Sequence, residues 1–317
     1  MLTLFPPIGP IRERQIQVDP LHIIYVEQSG NLSGLPVVFI HGGPGAGSNE
    51  NHRRYFDPAV YHIINFDQRG CNRSTPAGET RNNTTADLLA DLELIRDQLG
   101  IEKWIIFGGS WGATLGLLYA VHYPQHVMGM VLRGVFLARQ TDRDWFFQDG
   151  VKRIYPDAWA RFSNFIEPGR QHDLVCAYYD CIHQADAASA VAAATEWSRW
   201  TGTIVSWTLN ISDYNFAGDI TRMMNEVRIE THYARHAYFI KENCILERVS
   251  QVPEVPITII HGRRDLTCTL EAAWQLHQAL PRSELIIIRE GGHLASEPVM
   301  VDALILATNT LAAKVTI

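Results

Sequence analysis

The sequence is short of cysteine, of basic residues and of long apolar runs, and each shortage removes a class of function. Five cysteines in 317 residues (71, 176, 181, 244 and 268) are an odd number, widely scattered and without a C-x-x-C pair. Neither a disulfide framework nor a structural zinc site is expected from that pattern, whereas reduced thiols in the cytoplasm are. Cys176 and Cys181 fall where one helix would carry both, and two packed thiols suit them better than a redox pair. Lys and Arg total 27 against 34 Asp and Glu, a formal net charge of −7. A nucleic-acid partner, which needs basic surface to displace phosphate counterions, is not expected. The sequence has no continuously apolar window of about 18 residues, so no membrane partner is expected either. The stretch 104–120 comes nearest and is broken by glycines. The first ten residues have neither the basic start nor the apolar run of a secretory signal.

What the chain does have is material for a large core. Hydrophobic residues make up 46% and charged residues 19%, which excludes a disordered chain. From about residue 21 to 136, short β-branched runs alternate with helical patterns. The runs are 35–40, 61–66, 103–107 and 127–132. The clearest helix spans 85–99, where Leu88, Leu89, Leu92, Ile95 and Leu99 recur near 3.6 spacing behind Thr84 and Thr85 as caps. Residues 138–248 read differently. Strand-like runs are few, and Trp145, Trp159, Trp197, Trp200 and Trp207 sit among helical segments, which predicts a helical lobe with an aromatic interior. Alternation resumes with a strand at 255–260, a helix at 270–279, a strand at 284–288 and a closing helix from Pro298. Strands alternating with helices predict a mainly parallel, buried sheet.

The strongest local signal is Gly108-Gly109-Ser110-Trp111-Gly112, a G-x-S-x-G between an apolar strand and a helical run. That strand–turn–helix context is what the motif requires. Glycines on either side let strand and helix backbones approach, so a serine hydroxyl stands clear at a helix N-terminus, where free N–H groups favour negative charge. Serine needs a base, and the base an orienting carboxylate, in the chain order Ser, Asp or Glu, His. Of 13 histidines, His293 in Glu290-Gly-Gly-His293 lies just past the last strand, and Asp265 in His261-Gly-Arg-Arg-Asp265 stands in the same relation to the strand before it. Both belong at the carboxyl edge of the sheet. His41 and His261 compete as bases but are expected to hydrogen-bond loops. His41-Gly42-Gly43-Pro44-Gly45 follows the first strand run at the position of an oxyanion loop, making the N–H groups of Gly43 and Trp111 the candidate donors. Ser110 precedes the helical stretch while Asp265 and His293 follow it. One catalytic core (1–137 and 249–317) with an inserted helical cap (138–248) is therefore expected, rather than two domains.

The set HGGPG (41–45), Asp67-Gln-Arg-Gly70, Asn82-Asn-Thr-Thr85, GGSWG (108–112), Leu132-Arg-Gly134 and Gly262-Arg-x-Asp265, in this order, resembles bacterial prolyl aminopeptidases (proline iminopeptidases). The similarity runs over nearly the whole chain, including Gln148-Asp-Gly150 and Arg228-Ile-Glu230-x-His-Tyr233. The resemblance implies an α/β-hydrolase fold, an α/β architecture with a parallel sheet flanked by helices, and a serine peptidase that removes N-terminal proline, or a related small residue, from peptides. It implies Ser110 as nucleophile, His293 as general base and acid, and Asp265 orienting His293, with no metal and no organic cofactor. It also implies an aromatic pocket for the pyrrolidine ring, with Trp111, Phe136, Phe146 and Phe147 as candidates, and Glu230 as a carboxylate for the substrate's free amino end. Small peptides with a free N-terminus are the expected partners, and self-association is left open.

Two departures bear on specificity. Thr201 stands where the family carries a second glutamate, and Phe146 and Phe147 where it tends to have tyrosines. Glu196, five residues before Thr201, has poor helical spacing for a substitute, and only cap geometry would bring it close. A serine esterase or amidase lacking strict proline specificity is the alternative function, and a non-catalytic binding protein a more distant one. Epoxide hydrolase and dehalogenase chemistry is disfavoured, because those enzymes place Asp where Ser110 stands. Of the remaining motif residues, Asp67 and Arg69 are expected to tie loops together and Arg133 to pair with a buried carboxylate. Cys268 is expected to border the site, exposing the protein to thiol reagents.

Overall fold

The computed structural model describes residues 1–206 and 219–315, so Trp207 lies outside the described residues. Eight strands form one sheet: β1 (Arg12–Gln17), β2 (Ile23–Gly30), β3 (Leu35–Ile40), β4 (Tyr61–Phe66), β5 (Trp104–Gly109), β6 (Val127–Arg133), β7 (Ile257–Gly262) and β8 (Glu284–Ile288). Their spatial order is β1-β2-β4-β3-β5-β6-β7-β8, antiparallel through β2 and parallel from β4 onward. β4 and β5 are buried at every residue, which explains why the strands read as unbroken apolar runs rather than alternating ones. The helices are α1 (Thr85–Gln98), α2 (Trp111–His122), α3 (Gln140–Phe147), α4 (Pro156–Asn164), α5 (Leu174–Gln184), α6 (Ala187–Val205), α7 (Ile220–Arg235), α8 (Cys244–Glu247), α9 (Leu270–Ala279) and α10 (Pro298–Val315).

The strand and helix runs read from sequence match the structure to within about two residues, but the N-terminal edge was not foreseen. β1 and β2 pair antiparallel there. β2 carries Glu27, Gln28 and Ser29 before its last residue, Gly30; these three look like loop residues but are buried. Glu27 is tolerated because Arg53 binds it through two hydrogen bonds of 2.7 and 2.8 Å, and Arg73 adds a third at 3.0 Å. The expected alternation also fails between β3 and β4. There the chain forms the HGGPG loop and a 3₁₀ turn, Glu50–Tyr55, instead of a helix.

α3 to α8 all follow β6 and precede β7, and β6 pairs with β7. Phe162, Tyr178, Trp197 and Trp200 form a stacked cluster inside these helices, the aromatic interior expected. α10 is the one helix among the described residues that is long and apolar enough to cross a membrane. It is half buried, and Met300, Leu304 and Leu311 belong to the core beside β3, β5 and β6.

Sheet order puts a switch point between β3 and β5, because the chain leaves β3 toward β4 on one side and β5 lies on the other. Loops after these strands diverge and leave a crevice at the carboxyl edge. α2 enters that crevice because Gly112 allows it: a Cβ built there would lie 2.0 Å from the Ile40 carbonyl oxygen. Gly112→Ala should therefore cost about 1–3 kcal/mol through overpacking, read as a lower urea midpoint with unchanged slope.

Candidate active site

Ser110 occupies the turn between β5 and α2 with φ 56° and ψ −123°. A left-handed serine is strained, at a cost of order 1–3 kcal/mol. The turn is held by Ser110 N–H donating to Arg133 O (2.9 Å) and Ala113 N–H donating to Ser110 O (2.9 Å). Trp111 opens α2, so its N–H is among the unpaired donors of a helix N-terminus. Gly42 packs on this turn: its Cβ position lies 3.5 Å from Ser110 Cβ. Gly43 follows with φ 114°, a conformation suited to glycine.

One hydrogen-bonded unit joins the three motifs. Gln68 of the Asp67-Gln-Arg-Gly70 turn donates through Nε2 to His41 O (2.9 Å) and accepts from Trp111 Nε1 (2.9 Å). His41 Nε2 accepts from Gln68 N–H (2.9 Å) and Nδ1 donates to Gly42 O (2.9 Å). Burial lowers the His41 pKa, consistent with a neutral ring. His41 therefore shapes the loop, as expected. The Trp111 side chain is fully buried, between Gln68, Tyr233 and Tyr238, and does not line the cavity. Its indole is thus withdrawn from the aromatic pocket proposed on sequence, because its N–H is spent on Gln68.

Asp265 and His293 come from the loops after β7 and β8. Asp265 Oδ2 accepts from His293 Nδ1 at 2.7 Å, and its Oδ1 accepts from the N–H groups of Thr267 (2.9 Å) and Cys268 (2.8 Å). Burial raises the Asp265 pKa, but His293, His261 and the Cys268 N–H outweigh it, and the net shift is downward. Asp265 stays ionised and faces His293. His261 is fully buried, donates through Nε2 to Cys268 O (2.9 Å) and supports the loop, as expected. Among the described residues the Ser110 hydroxyl contacts Cys268 Sγ, 3.9 Å away. Cys268 borders the site, and burial pushes its thiol pKa well up, so its thiolate is suppressed.

A cavity of about 550 Å³ lies between this edge and α3, α6 and α7. Ser110, His293 and Gly43 form part of its lining, as do Phe136, Phe146, Phe147, Thr201 and Glu230. All the candidate pocket residues except the Trp111 indole therefore meet around one space, with Asp265 directly behind His293. Phe146 and Phe147 lie edge to face, and Phe147 stacks on Trp197. Trp197 and Tyr238, which sequence reading did not assign to the pocket, also line it. Trp197 Nε1 donates to Glu230 Oε2 at 2.8 Å. The Thr201 hydroxyl donates to Ser198 O at 3.3 Å.

One expectation is corrected, that for Arg133, while Glu196 is as poorly placed as its spacing predicts. Glu196 does not replace a carboxylate at Thr201. It faces away from the cavity and is held by Arg161 through two hydrogen bonds of 2.7 Å. Arg133 pairs with no carboxylate among the described residues; its Nη1 donates to His293 O at 2.5 Å. It sits at the end of β6, over Gly109, where a backbone carbonyl is closer than any acid. Asp67 and Arg69 do tie loops together. Asp67 binds Ser48, Asn72 and Arg73, and Arg69 chelates Asp91 at 2.6 and 2.7 Å. Among the described residues no group of three His, Cys, Asp or Glu side chains is arranged to hold a metal ion.

Residues 36–298 match the family model of the alpha/beta hydrolase fold. The chain is 42% identical to a probable proline iminopeptidase of Leptolyngbya boryana, over 100% of this chain and 99% of that protein. It is 42% identical to the proline iminopeptidase of Xanthomonas citri (98% and 100% covered) and 41% to that of Arabidopsis thaliana (98% and 82%). The chain belongs to the proline iminopeptidase family of α/β hydrolases. Among solved structures, VinJ superposes with a TM-score of 0.65 at 18% identity, covering 96% of this chain and 100% of that one. The esterase RhEst1 from Rhodococcus sp. gives 0.61 at 17%, covering 97% and 100%. These two share the fold.

The site of this proline iminopeptidase family member carries a pH-sensitive group. Burial, with Glu226 adding to it, pushes the Glu230 carboxyl up to about 8 despite the Trp197 hydrogen bond. Its negative charge is then present above that pH and lost below it. Affinity for a small ammonium ion such as pyrrolidinium should rise with pH by up to about tenfold per unit between 6 and 8. Calorimetric titration at several pH values checks this, and a flat profile would contradict it.

Proposed function

We propose that the chain is a serine aminopeptidase releasing N-terminal proline, or a related small residue, from short peptides through an acyl-enzyme. The observation that carries this reading is the 2.7 Å His293–Asp265 bond beside Ser110, in a cavity that also holds the half-buried Glu230. Ser110 turns its hydroxyl from Cys268 toward His293 and loses its proton to the imidazole as Oγ attacks the carbonyl carbon. Such a bond is often absent or long until substrate is bound. The N–H groups of Gly43 and Trp111 hold the oxyanion. His293 returns the proton to the departing amine, freeing the rest of the peptide. It then takes a proton from water, which hydrolyses the prolyl ester and regenerates Ser110. Asp265 stabilises the imidazolium and keeps Nδ1 protonated.

Phe136, Phe146, Phe147 and Tyr238 supply the apolar wall for a pyrrolidine ring, and Glu230 a charged acceptor for its nitrogen. The groups named suffice for this chemistry without metal or organic cofactor. Five free cysteines, with Cys71 and Cys268 buried, support a cytoplasmic setting. One observation favours the esterase or amidase reading: Thr201, not a carboxylate, faces the cavity. The position of Glu230 inside the cavity opposes it.

Purified protein should hydrolyse proline p-nitroanilide in preference to p-nitrophenyl esters of uncharged acids. Turnover of the esters without any arylamidase activity would overturn the peptidase reading. Asp265→Asn should lower kcat about 10⁴-fold at neutral pH, by presenting the wrong tautomer of His293 to Ser110. Ser110→Ala should lose fluorophosphonate labelling altogether, and labelling that persists would relocate the nucleophile.

A further inference from the structure

The helix that carries Glu230 places a second carboxylate in the same cavity. Glu226 lies one turn earlier on α7, so the two side chains share a face about 5–6 Å apart at Cβ. Both line the cavity that contains Ser110. α7 is pressed onto the oxyanion loop at this residue. A Cβ built on Gly45 would lie 2.7 Å from Glu226 O and 3.4 Å from Glu226 Cα. The position of Glu226 relative to the loop and Ser110 is thus set by backbone packing.

A pair of like charges half-buried in a cavity is costly unless something cationic joins it. The neighbours do not supply that partner. Arg222, one turn back, draws the Glu226 pKa down electrostatically, but it is exposed and forms no ion pair with Glu226 among the described residues. Arg143, on the far wall, donates to Ala138 O and Gln140 and lies 4.0 Å from Glu242. Trp197 satisfies one oxygen of Glu230. Burial dominates and raises the carboxyl pKa of Glu226, as it does for Glu230. A cation seated between the two carboxylates would oppose that rise by favouring their charged forms.

We propose that Glu226 is a specificity-determining residue: with Glu230 it forms a two-carboxylate clamp for the charged terminal nitrogen of the substrate. The proposal rests on the aminopeptidase reading and deepens it. The secondary ammonium of N-terminal proline carries two N–H donors, one for each carboxylate. The clamp holds that nitrogen while the carbonyl carbon stands over Ser110, so charge recognition and acyl transfer use one binding pose.

The test compares proline p-nitroanilide with the p-nitrophenyl ester of cyclopentanecarboxylic acid, which keeps the ring and lacks the nitrogen. Glu226→Gln preserves shape and removes only charge. The variant should lose about 10- to 100-fold in kcat/KM on the prolyl substrate, mainly through KM, as expected for a charge-assisted hydrogen bond. Its activity on the uncharged ester should stay within about twofold, which also shows that the variant is folded. Unchanged KM for the prolyl substrate, or equal losses on both substrates, would overturn the clamp. A wild-type enzyme that cleaves the ester and ignores the prolyl anilide would overturn the aminopeptidase reading itself. A wild type that prefers the anilide, with a variant that keeps this preference, would remove Glu226 alone.

Discussion

The structure depends on one close approach, that of the α2 backbone to the end of β3. Gly112 stands so near the Ile40 carbonyl that no side chain fits between them. This contact brings the first turn of α2 beside the HGGPG loop, and a serine on a strained turn beside a pair of N–H donors. Without it the strand ends would still diverge between β3 and β5, but the crevice would lack Ser110 and the N–H groups beside it. Gln68 then fastens the arrangement by bonding His41 O and the Trp111 indole together. The three motifs occur together because each satisfies polar groups that another leaves buried.

Charge is handled in two ways around this centre. Behind the site loops, the buried ions Glu27, Asp67 and Arg69 each have a partner among the described residues. Glu27 meets Arg53 and Arg73, Asp67 meets Arg73, and Arg69 meets Asp91 and Asp19. These pairs rigidify the loops behind the site, and removing one member of such a pair costs about 3–5 kcal/mol. Inside the cavity the balance is left open. Glu226 and Glu230 are held on one helix face with Trp197 satisfying only one oxygen. Among the described residues, paired ions behind the loops thus contrast with the cavity's Glu226 and Glu230, which have no ion-pair partner. This contrast accounts for the direction of the pKa shifts, since Glu27 is shifted down and Glu230 up.

Much of the site was legible in the chain because its chemistry demands local context. Ser110 was visible from glycines two residues either side, and Asp265 and His293 from their places just beyond strand runs. The pocket was less legible. Trp111 looked like an aromatic wall, yet its ring is turned into the core by a hydrogen bond to a residue 43 positions away. Glu196 was legible as a poor substitute at Thr201, since a spacing of five residues on helix α6 turns it to another face, against Arg161. Glu226 was overlooked although its spacing from Glu230 is a helix turn, because nothing local says which face of α7 meets the cavity. β2 was missed for a related reason: Glu27 reads as surface until Arg53 and Arg73 are seen beside it.

By itself, the sequence determined the alternation of strands and helices, the serine at the β5–α2 turn, the strand-end positions of Asp265 and His293 and the family to which the chain belongs. Those features rest on short-range sterics: glycine at a tight turn, apolar runs for buried strands, helical spacing and capping at Thr84. The tertiary structure alone decided which side chains point into the cavity. Whether a carboxylate there is paired or solvated depends on groups brought together from different helices, as Trp197 is to Glu230 from 33 positions away. That pairing is set by packing of α6 and α7 over the sheet edge, and no local pattern encodes it.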